Sequence, residues 1–208
     1  MNSQSNNVAG DASSKESFSD SNCRIRVDGL TFKPFLHRSE IQREVERVAA
    51  EIRKDYIGRQ PIFLCVLNGA FVFAADLFRS VGITDASISF VRYSSYSGTS
   101  TTGSVKQLIG LPADLEGRDI IIIEDIVDTG LTAEKMIADL QKCNPASVKF
   151  ATLLHKPASS RTGYTPDYIA FSIEPKFIIG YGLDLDGKAR NLPDIYVNTE
   201  DEESHPGI

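Results

Sequence analysis

Two adjacent acids and a short run of hydroxyl-bearing residues occur together in the middle of the chain. Glu124 and Asp125 follow four consecutive isoleucines, and residues 128–132 read DTGLT. Adjacent carboxylates can accept hydrogen bonds from neighbouring hydroxyl groups or bind a divalent cation. Threonine hydroxyls and the unpaired N–H groups at the start of a helix can bind a phosphate. The spacing therefore predicts a site for a ribose 5-phosphate.

The elements on either side of these residues are the ones that would position them. The isoleucines predict a buried parallel strand over residues 119–123, and an apolar stripe predicts a helix over 131–142. Ligands bind at the carboxyl edge of such sheets, and Gly130 allows a tight turn there. An alternative interpretation is a plain strand followed by a helix-capping loop, since Asp and Thr are common caps. The paired acids before the loop favour the binding site.

Strand and helix patterns alternate over most of the chain, which predicts a mainly parallel sheet. An uninterrupted apolar run over 61–67 indicates a strand buried on both faces. The pattern predicts further strands over 87–93, 105–109, 147–154, 168–173 and 177–179, and further helices over 37–56 and 70–80. Ser39 and Gln42 are spaced as a capping box for the first helix. Residues 94–104 are almost all Ser, Thr and Gly, which is typical of a mobile loop.

Composition indicates one α/β domain of a cytoplasmic protein. The chain has 208 residues and a net charge of −6, so it has no overall basic bias toward nucleic acid. Its three cysteines form no CxxC motif, and no apolar run approaches the ~20 residues of a membrane span. We expect a disordered extension over 1–22, a folded domain over 23–198 and an acidic tail over 199–208.

The segment 120–132 resembles the signature of the type I phosphoribosyltransferases. With Asp128 at its position, the segment resembles that of the 6-oxopurine branch, the hypoxanthine-guanine phosphoribosyltransferases. The resemblance extends from Arg24 to Val197. It implies a type I phosphoribosyltransferase-like α/β fold, with a mainly parallel central sheet flanked by helices and a small C-terminal hood. It also implies transfer of 5-phosphoribosyl from phosphoribosyl pyrophosphate to hypoxanthine or guanine, with Mg²⁺ as cofactor. The family usually forms homodimers or homotetramers.

The resemblance gives roles to individual residues in the ribosyl half of the site. Glu124 and Asp125 would bind the ribose hydroxyls, and Asp128 would be the general base. The phosphate loop would consist of Asp128, Thr129, Gly130, Leu131 and Thr132. Asn68, Gly69 and Arg190 would contact pyrophosphate, and the family often has a non-proline cis peptide at this loop. Asn68 departs from the family, which often has lysine at that position.

The purine half of the site is assigned in the same way. Lys156 would donate to the purine O6, Phe177 would stack on the ring, and Ile178 would offer backbone groups to the base edge. Ser95 and Tyr96 would belong to a mobile lid. Magnesium would be held by Glu124 and Asp125, and a second magnesium ion near the pyrophosphate would be held by Asp184.

Other functions remain open from the sequence. A phosphoribosyltransferase for xanthine, adenine or orotate is the nearest alternative, although the ammonium of Lys156 needs an acceptor and so disfavours adenine. A ligand-sensing regulator that binds nucleic acid is a different class. Such a protein needs a basic surface or an added DNA-binding module, and this chain has an acidic balance.

Overall fold

The computed structural model describes residues 23–95, 105–112 and 114–200. The predicted N-terminal extension over 1–22, Tyr96 of the predicted lid, and positions 201–208 of the predicted tail lie outside the described residues. Among the helices that are described, none has the length and apolar character needed to cross a membrane.

Ten strands and three α-helices make up the described part of the chain. In chain order they are β1 (Ile25–Val27), β2 (Leu30–Leu36), α1 (Arg38–Tyr56), β3 (Ile62–Val66), α2 (Phe71–Val81), β4 (Ser87–Ser95), β5 (Val105–Ile109), β6 (Asp119–Val127), α3 (Leu131–Gln141), β7 (Ser147–His155), β8 (Tyr168–Ser172), β9 (Ile178–Ile179) and β10 (Ile195–Asn198). A single 3-10 turn, Pro157–Ser159, follows β7.

The central sheet has six strands in the order β5-β4-β3-β6-β7-β8. Every pairing in it is parallel except that of β4 with β5, which is antiparallel and closes one edge. All five residues of β3 are buried, as expected of a strand covered on both faces. The predicted mainly parallel sheet flanked by helices is confirmed.

The four isoleucines of β6 divide between two cores because alternate residues of a strand face opposite sides of the sheet. Ile121 and Ile123 pack in the cluster that contains the apolar stripes of α1 and α2. Ile120 and Ile122 pack in a second cluster with Met136 of α3. Helices therefore cover both faces of β6, and this strand is held firmly up to the point where the site begins.

The first helix begins one residue after His37 rather than at the predicted capping pair. The backbone N–H of His37 donates to Oε2 of Glu40 at 2.9 Å, so Glu40 takes the place that the sequence pattern gave to Gln42. The predicted capping box of Ser39 and Gln42 is therefore wrong. Ser39 already lies inside the helix.

A small antiparallel sheet of four strands, in the order β1-β2-β10-β9, forms the hood. The sequence pattern indicated only β9 among these four strands. The buried carboxylate of Asp194, just before β10, accepts the backbone N–H of Arg38 at 2.7 Å. The hood is therefore joined to the start of α1, and it stands over the carboxyl edge of the main sheet.

Candidate active site

Strand β6 continues through both acids of the predicted site. It was expected to end at Ile123, but it runs to Val127 and pairs Glu124 with Thr152 on β7. The Asp125 carboxylate lies directly against Gly69, where an added Cβ atom would overlap it. Asp125 Oδ1 also accepts the backbone N–H of Ile126 at 2.9 Å. The acids are thus fixed by sheet pairing rather than carried on a loop.

Both acids are difficult to ionise in the free protein. Burial raises the pKa of Glu124 well above its ordinary value, and the neighbouring charge of Asp125 raises it further. Burial also raises the pKa of Asp125, although hydrogen bonds from Glu124 and from the Ile126 N–H, together with the charge of Arg190, oppose the rise. A proton shared between the two carboxyl groups therefore stabilises the pair, and a bound cation or hydroxyl groups would do the same.

The loop after β6 forms a small cleft at the start of α3. Gly130 precedes the helix with a φ of 82°, a left-handed conformation that favours glycine. The cleft is lined by Glu124, Ile126, Val127, Asp128, Thr129, Gly130, Thr132, Ala133 and Phe150. Unpaired N–H groups at the helix start, together with threonine hydroxyls, suit this cleft to a phosphate.

Lys156 joins this loop to the hood. The residue is 8% exposed, and its backbone N–H donates to the carbonyl of Val127 at 2.9 Å. Its Nζ donates to the carbonyl of Lys176 at 2.8 Å and lies 3.9 Å from Oδ2 of Asp128. A buried ammonium and a more exposed carboxylate therefore stand side by side beneath the entrance to the hood.

The hood places an aromatic ring and a buried strand near this pair. Phe177 is 39% exposed, and its ring centroid lies 5.9 Å from that of the buried Phe32. Ile178, the first residue of β9, is buried. A partly exposed ring beside a lysine and an acid can form one wall of a pocket for a flat heterocycle.

The charged residues that follow β9 are already paired with one another. Arg190 lies 2.7 Å from Oδ1 of Asp184, and its guanidinium also donates to the carbonyl of Gly182 at 2.6 Å. The second carboxylate oxygen of Asp184 accepts the N–H of Gly187 at 2.7 Å. Any anion that binds Arg190 must therefore share it with Asp184 or displace Asp184.

The turn between β3 and α2 lies under the same segment. Its Leu67–Asn68 peptide bond is cis, and Asn68 is exposed. Gly182 has a φ of 101°, and an added Cβ atom there would overlap the carbonyl oxygen of Gly69. The predicted pyrophosphate residues Asn68, Gly69 and Arg190 are thus brought to one region.

The carboxylates suit a hard cation that brings ligands of its own. No group of three or more His, Cys, Asp or Glu side chains in the described ranges is close enough to hold a metal ion. Glu124 and Asp125 supply oxygen donors, which Mg²⁺ prefers, and Mg²⁺ usually completes its shell with water and substrate phosphates. The donor chemistry therefore fits magnesium carried by a phosphate ligand.

Several features of the site were not expected from the sequence. The carbonyl of Lys176 and the contact of Tyr181 with Asp76 carry no sequence signal. His155 is 5% exposed, its Nε2 has no hydrogen-bond partner among the described residues, and burial lowers its pKa. Ser95 of the predicted lid is the last residue of β4, so that strand runs two residues into the predicted loop.

Comparisons with known proteins agree on one family. A family model described as "Phosphoribosyl transferase domain" matches residues 35–186. The hypoxanthine-guanine-xanthine phosphoribosyltransferase of Tritrichomonas foetus is 38% identical over 165 residues, which cover 79% of this chain and 90% of that protein. The hypoxanthine-guanine phosphoribosyltransferase of Streptococcus thermophilus is 39% identical over 173 residues, covering 82% of this chain and 94% of that protein.

Solved structures give the same result. A hypoxanthine-guanine phosphoribosyltransferase from Bacillus anthracis superposes with a TM-score of 0.74 at 37% identity, covering 79% of this chain and 95% of that chain. A hypoxanthine phosphoribosyl transferase from Trypanosoma cruzi superposes with a TM-score of 0.77 at 32% identity, covering 87% of this chain and 98% of that chain.

Proposed function

Because the chain belongs to the phosphoribosyltransferase family, in its hypoxanthine-guanine branch, we propose that it transfers 5-phosphoribosyl from phosphoribosyl pyrophosphate to N9 of hypoxanthine or guanine. The products are IMP or GMP and pyrophosphate. The reaction serves purine salvage, since it returns a free base to the nucleotide pool.

The observation that carries this proposal is the pair formed by Lys156 and Asp128. The lysine Nζ and the Asp128 Oδ2 lie 3.9 Å apart at the mouth of the phosphate cleft. A 6-oxopurine presents O6 and N7 next to each other on one edge. An ammonium can donate to O6 while the adjacent carboxylate accepts a proton from N7. A 6-amino group would instead point its own donors at the ammonium.

Asp128 acts as the general base. A carboxylate within reach of N7 takes up the proton that the base must lose as N9 attacks C1′, and the attack inverts C1′ as pyrophosphate leaves. The protein contributes chiefly by orienting the two substrates and stabilising charge. Phe177 stacks on the base and Ile178 contacts its edge through backbone groups. Ser95 and Tyr96 belong to a lid that excludes water from the cationic transition state.

The ribosyl substrate binds along the edge of the sheet. Glu124 and Asp125 accept hydrogen bonds from the ribose hydroxyls. The 5′-phosphate occupies the cleft at residues 128–132, where the N–H groups at the start of α3 bind it. Support comes from the raised pKa values of the two half-buried acids, because adjacent carboxylates that are costly to ionise are stabilised by hydroxyl donors.

The leaving pyrophosphate is bound by Arg190 and by backbone N–H groups of the turn at Asn68 and Gly69. Glu124 and Asp125 would hold one Mg²⁺ ion, and Asp184 would hold a second near the pyrophosphate, with substrate phosphates and water completing each shell. Bound magnesium would neutralise charge on the leaving group. Arg190 and the N–H groups of this turn orient the pyrophosphate.

We assign the enzyme domain to residues 23–198, with the segments 1–22 and 199–208 outside it. We also propose a homo-oligomer, a dimer or a tetramer. Support for an oligomer comes from the family resemblance, since these enzymes usually form homodimers or homotetramers. A cytoplasmic location is proposed from the three free cysteines, which suit a reducing compartment.

A turnover panel with hypoxanthine, guanine, xanthine and adenine tests the proposed function. Hypoxanthine and guanine should turn over, and kcat/KM for adenine should be at least about 100-fold lower, because its amino group leaves the buried ammonium without an acceptor. Comparable turnover of adenine would contradict the proposal. Efficient turnover of xanthine would extend the substrate range to match the name of the Tritrichomonas foetus relative.

A lysine substitution sharpens the panel. Lys156→Met should remove most of the discrimination against adenine. Lys149→Met is the matched control, because Lys149 lies on β7, the strand that Lys156 directly follows, and pairs with Asp167 at an exposed position. It should leave the discrimination unchanged.

A further inference from the structure

Tyr181 connects the hood to helix α2 beside the pyrophosphate turn. Its hydroxyl donates to Oδ2 of Asp76 at 2.7 Å, and the residue is 7% exposed. Burial and the neighbouring carboxylate raise the pKa of Tyr181, so the hydroxyl stays protonated and remains a donor. Tyr181 directly precedes Gly182, which lies against the carbonyl of Gly69, so the hood side of this contact adjoins the proposed pyrophosphate subsite.

The backbone at Tyr181 is held in an uncommon conformation. Its φ is 49°, and it lies between Gly180 at 99° and Gly182 at 101°. A bulky residue adopts positive φ only where the surroundings determine it, and such residues cluster at functional sites. The Tyr181 N–H donates to the carbonyl of Leu192 at 2.9 Å. The hydroxyl contact with Asp76 adds a side-chain anchor at the same residue.

Arg190 is coupled to this anchor through Gly182. The Gly182 N–H donates to the carbonyl of Arg190 at 3.0 Å, and the Arg190 guanidinium donates back to the carbonyl of Gly182 at 2.6 Å. Gly182 also lies against the carbonyl of Gly69. A shift of Tyr181 would therefore move Arg190 relative to the turn at Asn68 and Gly69.

We propose that Tyr181, held by Asp76, is a positioning residue for the pyrophosphate subsite. It fixes the distance between the guanidinium of Arg190 and the turn at residues 68–69, and it contacts neither substrate. The inference deepens the proposed function and rests on its assignment of these residues to pyrophosphate.

The chain contains a matched control for this contact. The hydroxyl of Tyr168 donates to Oδ2 of Asp55 at 2.7 Å, and Tyr168 is 5% exposed. This second pair joins β8 to α1, away from the hood and the turn at residues 68–69. Loss of either hydroxyl removes the same kind of hydrogen bond, so any difference between the two variants reports position rather than stability.

The experiment measures binding of magnesium pyrophosphate by calorimetry, together with KM values and melting temperatures. Tyr181→Phe should weaken pyrophosphate binding and raise the KM for phosphoribosyl pyrophosphate about tenfold, with the KM for hypoxanthine changed less than about twofold. Tyr168→Phe should lower the melting temperature by a similar amount and leave pyrophosphate binding unchanged. Asp76→Asn keeps an acceptor for the hydroxyl and should restore most of the binding that Asp76→Ala loses.

The proposal is overturned if Tyr181→Phe binds pyrophosphate within about twofold of the wild type, or if both KM values rise equally. Equal losses in Asp76→Asn and Asp76→Ala would also overturn it. Turnover of the wild type is measured separately. A wild type that binds pyrophosphate but turns over no base would refute the proposed function, while the binding difference between the two tyrosine variants would still decide the role of Tyr181.

Discussion

Two regions of the site differ in whether their charged side chains are already paired. The ribose-phosphate region, residues 124–132, holds the acids Glu124 and Asp125, which form no ion pair with any described residue. The hood loop, residues 176–190, holds Asp184 and Arg190 in contact at 2.7 Å, and its Lys176 carbonyl accepts the ammonium of Lys156. Before substrate binds, neither of the paired acids forms a close salt bridge with a described residue, whereas Asp184 and Arg190 already neutralise each other.

This difference determines what a ligand does in each region. In the ribose-phosphate region the hydroxyl groups of a ligand, or a cation bound with it, satisfy two half-buried acids, so binding relieves a cost of folding. In the hood loop a ligand must compete with contacts that exist already, so its net gain there is smaller. Substitutions of the acids in the ribose-phosphate region should therefore have larger effects on catalysis than substitutions in the hood loop. Removing the charge of a paired acid should lower activity and raise the stability of the free protein.

The largest effect is expected for Asp128→Asn. The variant keeps the shape of the side chain and loses the proton acceptor, so kcat should fall about 10²- to 10⁴-fold, while IMP binding weakens much less. Steady-state kinetics and calorimetry measure the two quantities. Glu134→Gln, at an exposed acid in the first turn of α3, is the control and should change neither. Turnover within a few-fold of the wild type would show that Asp128 is not the base.

A smaller effect is expected for Glu124→Gln, and it has two parts. The KM for phosphoribosyl pyrophosphate should rise roughly tenfold, because the amide accepts hydrogen bonds less well and binds cations poorly. At pH 8 the melting temperature of the free protein should rise by roughly 2–4 °C, which corresponds to an increase of about 1 kcal/mol in the free energy of unfolding. Asp119→Asn, at the other end of the same strand, is the control for the KM change and should leave it unaltered.

The pH dependence of this stability change follows from the direction of the pKa shift. The pKa of Glu124 is higher in the folded protein than in the unfolded chain. The contribution of Glu124 to folding stability is therefore fully present below the ordinary glutamate pKa of about 4.3, and it is lost as the pH rises through the folded-state pKa. The gain in Glu124→Gln should therefore be small at pH 5 and grow toward pH 8. Melting curves of the ligand-free protein measure it. A gain that is equal at both pH values would show that ionisation of Glu124 is not its cause.

The smallest effect is expected for Asp184→Asn, which releases Arg190 from its partner. Pyrophosphate should bind about three- to fivefold tighter when magnesium is absent, and added magnesium should improve binding less than in the wild type. Calorimetry with and without a chelator measures both. Asp186→Asn, at an exposed acid two residues along, should behave as the wild type does. Unchanged binding without magnesium would show that the ion pair does not compete with the ligand.

The sequence predicted the main sheet well because long apolar runs and helical periodicity determine it. The pattern indicated β3, β6, β7 and the three helices with ends displaced by a few residues at most. The misplaced end of β6 has a physical cause. Charged residues usually mark the end of a buried strand, but pairing with β7 continues through Glu124 to Val127. Local composition does not show that a neighbouring strand will satisfy the backbone there.

The hood was less predictable because its strands are short and far apart along the chain. β10 pairs with both β2 and β9, and no local pattern indicates such pairings. The ion pair of Asp184 with Arg190 and the contact of Tyr181 with Asp76 depend on the same long-range geometry. Family resemblance assigned Asp184 and Arg190 to the site, but it did not indicate that they would contact each other.

The backbone contact between Gly182 and Gly69 limits how the protein can be redesigned. At Gly182 any other residue must adopt an unfavourable φ of 101° and also displace the carbonyl of Gly69. At Gly69 a side chain must displace the carboxylate of Asp125. A mutant library aimed at new leaving groups should therefore hold both glycines fixed and diversify Asn68 instead, because its side chain is exposed and can change without disturbing this contact.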